Sequence, residues 1–275
     1  MRGVPPWCEP KRLLGPGEWE IEGRSARTRL ATHDAADLEA RLRGIVLGGS
    51  AIEVTTEPAL KRDAVRAART TDARRRRQTT PGFTRPGTRL DDEGRVSLTP
   101  EALALAIGQR AAGRSVVDAC CGAGGNAIGF ARAGCPVVAI ERDPGRLADA
   151  RHNARIYGVE DHIRFVRGAL EDVLPTLTAD VLFVDPPWAM GDSRQPSTLA
   201  SLPALAWALD HPGGFGEIWA KVPPSFDLRD TPDASPEAWY GTAPGDARRV
   251  KFLVLRVRGR ATPREPYGGL GGGGT

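Results

Sequence analysis

Val116-Val117-Asp118-Ala119-Cys120-Cys121-Gly122-Ala123-Gly124-Gly125-Asn126 is the stretch on which the reading of the chain turns. Ser115 to Ala119 is too apolar to face water, so it reads as a buried strand. The glycines after it let the backbone bend tightly and come close to a ligand. A helix from Asn126 to Ala133 follows. Two later stretches repeat the plan. Val137-Val138-Ala139-Ile140-Glu141 is an apolar run ending in an acid, and Asp180 to Val184 runs into Asp185-Pro186-Pro187-Trp188. Strands alternating with helices predict an α/β fold with a mostly parallel sheet. Ligands of such sheets bind outside the carboxyl ends of the strands. Three of those ends carry a glycine turn, carboxylates and an aromatic ring.

Outward from this centre, Ile163 to Val166 and Gly216 to Val222 supply two more strands. Ala238 to Ala243 and Arg249 to Val257, joined at Pro244-Gly245-Asp246, read as an antiparallel hairpin at the sheet edge, which makes seven strands. Helices are predicted over Glu101 to Arg110, Leu147 to Tyr157 and Thr198 to Leu209. Thr99 reads as an N-cap with Pro100 at the first helical position. Asp143-Pro144 opens the next helix and Gly158 ends it. The glycine tail, residues 263–275, is expected to be disordered.

Residues 1–80 read as a small basic α+β or helical appendage, residues 81–89 as a linker, and 90–262 as the main domain. Within the appendage, residues 1–17 read as irregular and Trp19 to Glu22 as a strand. A helix is predicted over Asp34 to Leu47, a strand over Ala51 to Thr55 and a helix over Ala59 to Gln78. The first 90 residues hold 18 Lys and Arg against 11 Asp and Glu, whereas the remainder holds 20 against 23. A basic arm on a slightly acidic body suggests a nucleic-acid partner. Arg74, Arg75, Arg76 and Arg77 are its densest point and are expected to contact phosphate.

The 275 residues are 40% apolar and 26% charged, the balance of a soluble globular protein. No apolar run approaches the roughly 18 residues of a membrane span, and the first residues lack a signal-peptide core, so a cytoplasmic location is expected. Cys8, Cys120, Cys121 and Cys135 have neither metal-ligand nor disulfide spacing, so no metal is expected.

The glycine turn lacks the G-x-G-x-x-G spacing of dinucleotide sites, and Asp118 just before it would repel a pyrophosphate. A carboxylate there suits a cationic or amino-bearing ligand. Glu141 can accept hydrogen bonds from both hydroxyls of a ribose. With Asp185-Pro186-Pro187-Trp188, these features suit methyl transfer from S-adenosylmethionine to an amino group on a nucleobase. Asp185 and the Pro186 carbonyl can each accept one N–H and hold the amine's lone pair toward the donor. Trp188 offers a face on which the base stacks. Adenine N6 suits the same groups. An RNA-binding protein with an unused cofactor fold and a small-molecule N-methyltransferase are the other readings.

The chain resembles the trimethylguanosine synthase family of RNA cap guanine-N2 methyltransferases, with its prokaryotic relatives, on particular residues. These are Leu90-Asp91-x-Glu93-Gly94, Ser97-x-Thr99-Pro100-Glu101, Val117-Asp118-Ala119-x-Cys121-Gly122-x-Gly124-Gly125-Asn126, Asn153-Ala154-x-x-Tyr157-Gly158 and Pro186-Pro187-Trp188. The resemblance implies a Rossmann-like class I methyltransferase fold and S-adenosylmethionine as cofactor. It implies a monomer acting on guanine N2 of a structured RNA such as tRNA or rRNA. Gly122, Gly124, Asn126 and Glu141 would hold the cofactor, with Thr99, Asp118, Cys121, Arg142 and Asp185 completing the set. Asp185, Pro186 and Trp188 would act on the base, and the Leu90–Glu101 segment would fold over the cofactor. The family has a serine where Asp185 stands.

Overall fold

The computed structural model describes residues 1–15, 17–188 and 195–259. The tail expected to be disordered lies outside them. The first elements are α1 (Pro10–Leu14), β1 (Glu20–Glu22), β2 (Ser25–Arg27), α2 (Thr32–Leu42), β3 (Val46–Leu47), β4 (Ser50–Ala51) and α3 (Arg62–Arg75). Then come α4 (Asp92–Ser97), α5 (Glu101–Arg110), β5 (Val116–Asp118), α6 (Gly125–Arg132), β6 (Val137–Glu141) and α7 (Pro144–Tyr157). The chain continues through β7 (Ile163–Arg167), α8 (Leu170–Val173), β8 (Thr178–Val184), α9 (Pro203–Asp210), β9 (Gly214–Val222), β10 (Ser235–Tyr240) and β11 (Val250–Arg258).

Seven strands form one sheet in the order β10-β11-β9-β8-β5-β6-β7. The five strands β5 to β9 are parallel, and β11 and β10 complete the edge antiparallel. This is the Rossmann-like, mostly parallel seven-stranded sheet with an antiparallel C-terminal hairpin expected from the sequence. Successive side chains along each strand alternate between its faces. Val116, Val137, Val181 and Phe183 pack on one side with Ile107, Phe130 and Ala154 from the helices. Val117, Ile140, Leu182 and Val184 pack on the other with Leu170 and Leu205. Both faces are covered, which is why these strands are nearly all apolar. The chain order reverses at β5, which lies between β6 and β8. A crevice opens at such a switch point, beyond the C-terminal ends of β5 and β8.

Local chemistry accounts for the boundaries. The Asp143 carboxylate accepts the Arg146 N–H at 2.8 Å and caps α7. Gly158, at φ 68°, closes the same helix in the left-handed region. Helices α5 and α6 meet through two glycines. A Cβ on Gly129 would lie 2.5 Å from the Ala104 backbone, and one on Gly108 would lie 2.4 Å from the Gly129 carbonyl oxygen.

The early chain differs in detail from its sequence reading. α1 forms within residues read as irregular, starting on Pro10, whose fixed φ suits the first helical turn. α2 stops at Leu42, so Ile45 and Val46 are not helical. Gly48-Gly49 is the two-residue turn of a hairpin pairing Val46 with Ala51 and Leu47 with Ser50. Val4, Leu13, Leu38, Leu42, Ile52 and Val54 bury a small apolar cluster that includes Tyr240 of β10. Polar ties reinforce that contact. Asp246 accepts the Thr80 N–H and hydroxyl, each at 2.8 Å, and Arg249 pairs with Asp72.

Candidate active site

The crevice is floored by the ends of β5, β6, β8 and β9. After β5 the chain turns through Cys121 to Gly124. Gly124 sits at φ 90° and begins α6, a conformation that favours glycine. Glu141, at the end of β6, accepts the Gly122 N–H at 3.0 Å on one oxygen and the Asp143 N–H at 2.9 Å on the other. Each oxygen keeps a second lone pair. The carboxylate therefore fixes two loops and can still accept from a ligand.

Asp118 is fully buried, and no donor meets hydrogen-bond geometry at either oxygen. Burial, then the charge on Asp185, raises its pKa to about 8; the amides of Ala127 and Cys120 oppose the shift. Cys120 and Cys121 have their thiol pKa values raised by burial and by the neighbouring carboxylates, which makes them poor nucleophiles.

Asp185 follows β8 directly. Its Oδ2 accepts from Lys221 Nζ at 2.8 Å, Asn126 Nδ2 at 2.9 Å and the Thr99 hydroxyl at 3.5 Å. Lys221, near the end of β9, is only 3% exposed. Pro186 is buried and Pro187 exposed. The Trp188 indole donates to the Lys221 carbonyl at 3.3 Å, and Lys221 Nζ lies 4.9 Å from the ring centroid. Thr99 does not cap α5. Pro100 stands at that position, and the hydroxyl goes to Asp185 instead.

The Leu90–Glu101 segment lies over the glycine turn. Asp91 caps α4 by accepting the Gly94 N–H at 2.7 Å, and Leu98 packs where a Cβ on Gly125 would stand. Asp91 and Glu93 both pair with Arg146 of α7, and Ser97 offers its carbonyl to Lys221 at 3.4 Å. Arg142 is exposed and makes no ion pair with this group among the described residues.

The arginine run divides. All four are exposed, but Arg75 pairs with Asp37 at 2.7 Å and Arg76 with Asp72 at 3.1 Å, while Arg74 and Arg77 make no ion pair among the described residues. A cavity of about 480 Å³ brings Arg76 and Trp188 together, with Arg41, Arg248 and Arg249 in its wall. Reading the sequence missed Lys221 and these three arginines. A charged residue closing the apolar run Ile218-Trp219-Ala220 was the one available signal for Lys221. Among the described residues, no three or more His, Cys, Asp or Glu side chains are placed to hold a metal ion, and no helix is long and apolar enough to cross a membrane.

The RNA cap guanine-N2 methyltransferase family model matches residues 113–195. The trimethylguanosine synthase of Schizosaccharomyces pombe is 37% identical over 41% of this chain and 51% of its own length. An uncharacterized RNA methyltransferase of Gloeobacter violaceus is 47% identical over 27% of this chain and 16% of its own length. The chain thus spans about half or less of these curated relatives. A solved RNA methyltransferase of Salinibacter ruber, in complex with S-adenosyl-L-homocysteine, is 19% identical. It has a TM-score of 0.40 over 61% of this chain and 97% of that one. Over residues 113–195, which carry the glycine turn, Glu141 and Asp185 to Trp188, the chain is similar to the RNA cap guanine-N2 methyltransferase family.

Proposed function

We propose that the chain is an S-adenosylmethionine-dependent RNA methyltransferase whose target is the exocyclic N2 amine of guanine. The observation that carries this reading is the position of Asp185-Pro186-Pro187-Trp188 at the end of β8, beside the glycine turn of β5. The crevice residues suit the cofactor. Asp118 keeps two buried oxygens that no donor among the described residues meets in full hydrogen-bond geometry, and Glu141 keeps free lone pairs for a ribose. When bound, S-adenosylmethionine supplies an electrophilic methyl group. Asp118 offers a carboxylate to a cationic or amino group. Asp185 and the Pro186 carbonyl hold the amine, and Trp188 holds the base. The target nitrogen takes the methyl carbon with its own lone pair and sheds one hydrogen as a proton to water; the electron pair of the broken carbon–sulfur bond stays with sulfur. Positioning supplies much of the rate in such a step.

Residues 1–80 serve, on this reading, as a basic appendage that grips RNA backbone, with 81–89 as the connection and 90–262 as the catalytic domain. Incubating the purified chain with cellular RNA and a labelled methyl donor, then analysing nucleosides, tests the proposal. N2-methylguanosine supports it. N6-methyladenosine would move the target to adenine, and no labelled nucleoside would leave an RNA-binding protein.

A further inference from the structure

We infer that Lys221 is the positioning residue of Asp185, holding its carboxylate as a one-oxygen acceptor. The inference rests on the methyltransferase reading and deepens it. Three observations carry it. First, Lys221 is 3% exposed on a central strand. An ammonium buried there is costly unless it is paired. Second, the pair it makes uses one oxygen. Lys221, Asn126 and Thr99 all approach Asp185 Oδ2, and among the described residues no donor reaches Oδ1. Oδ1 is therefore the oxygen left to accept from a target amine. Third, the same residue ties Asp185 to two neighbouring parts of the site. Its carbonyl takes the Trp188 indole N–H, its ammonium lies against that ring, and Nζ donates to Ser97 at the end of α4.

Charge explains why a lysine stands there. Asp118 on β5 lies within reach of the charges of Asp185 and of Glu141 on β6, and the Cys120 thiol within reach of those three and of Glu171 on α8. Lys221 on β9 is the cation that contacts Asp185. Without it, nothing among the described residues but Asn126 and Thr99 would hold Oδ2, and the carboxylate could turn. A turned carboxylate no longer aims Oδ1 at an amine hydrogen.

The test compares Lys221→Met, Lys221→Arg, Asp185→Asn and the double variant Asp185→Asn/Lys221→Met in the full chain. Lys221→Met should lower kcat by ~10–100-fold, the usual effect of losing an outer partner of a functional group, while cofactor affinity by calorimetry stays near wild type. Lys221→Arg should recover part of the rate. The double variant should be no slower than Asp185→Asn, since Lys221 acts through Asp185. That comparison decides the matter even if Lys221→Met does not fold, because the double variant removes both buried charges. A slower double variant, or Lys221→Met with wild-type kcat, overturns the inference. If wild type transfers no methyl group, the methyltransferase reading fails. The positioning relation is then read from crystal structures of the free wild-type and Lys221→Met chains. An Asp185 carboxylate turned from its wild-type orientation in the variant upholds it, and an unchanged carboxylate overturns it.

Discussion

Asp118 has the most exposed consequences of any single residue. Its folded-state pKa of about 8 lies above the ordinary 3.8 of an aspartate, chiefly through burial. Its contribution to stability is therefore fully present below the unfolded value and is lost as pH rises through the folded one. Asp118→Asn cannot titrate. In denaturant melts it should lose less stability than wild type between about pH 5 and pH 8. Equal losses would show that Asp118 is not the group responsible. The same residue makes cofactor binding pH-linked. A cation placed against it favours the ionised form, so binding near pH ~7 should release a proton. Calorimetry in buffers of different ionisation enthalpy measures that release, and Asp118→Asn should abolish it. At this scale the sequence was informative for residues announced by local context. Asp118, Glu141 and Asp185 end apolar strands, so their chemistry was visible. Lys221 was not, because its partner lies 36 positions away and only the sheet brings them together. Thr99 misled, because a hydroxyl before a helix resembles a cap until the fold offers it Asp185.

The elements follow their capping and turn residues. α7 was legible from Asp143, Pro144 and Gly158, each a local signal of a helix end. The Gly48-Gly49 turn was not, since a glycine pair after an apolar helix reads equally well as a stop or as a hairpin. The contact of α5 with α6 depends on absent side chains. Gly129→Ala puts a methyl against the Ala104 backbone and should cost ~1–3 kcal/mol, measured as a lowered unfolding midpoint. An unchanged midpoint would mean that the helices can separate freely. The end of α3 gives a second prediction at this scale. Arg75 and Arg76 are engaged with Asp37 and Asp72, while Arg74 and Arg77 make no ion pair among the described residues. Replacing Arg74 and Arg77 by alanine should weaken RNA binding and flatten its salt dependence with little loss of stability. Replacing Arg75 and Arg76 should lower the melting temperature as well. If the salt slope is the same in wild type and in the Arg74/Arg77 variant, the run does not touch phosphate.

Across the whole molecule, the sheet order could be anticipated only in part. Five strands alternating with helices imply a parallel sheet, and the last two imply an antiparallel edge. That β11 lies inside β10, next to β9, is set by pairing between distant segments. Nor could the sequence tell that the basic N-terminal residues close over that edge, burying Tyr240 in their own cluster and bringing Arg41 and Arg76 into a cavity with Trp188. The central claim is that Asp185 holds a guanine amine in this crevice. The most direct measurement is the single-turnover rate of methyl transfer to cellular RNA by wild type and Asp185→Ala, with the product nucleoside identified. Wild type should form N2-methylguanosine, and Asp185→Ala should form it ~10²–10³-fold more slowly with RNA affinity retained. Equal rates for the two proteins would contradict the account.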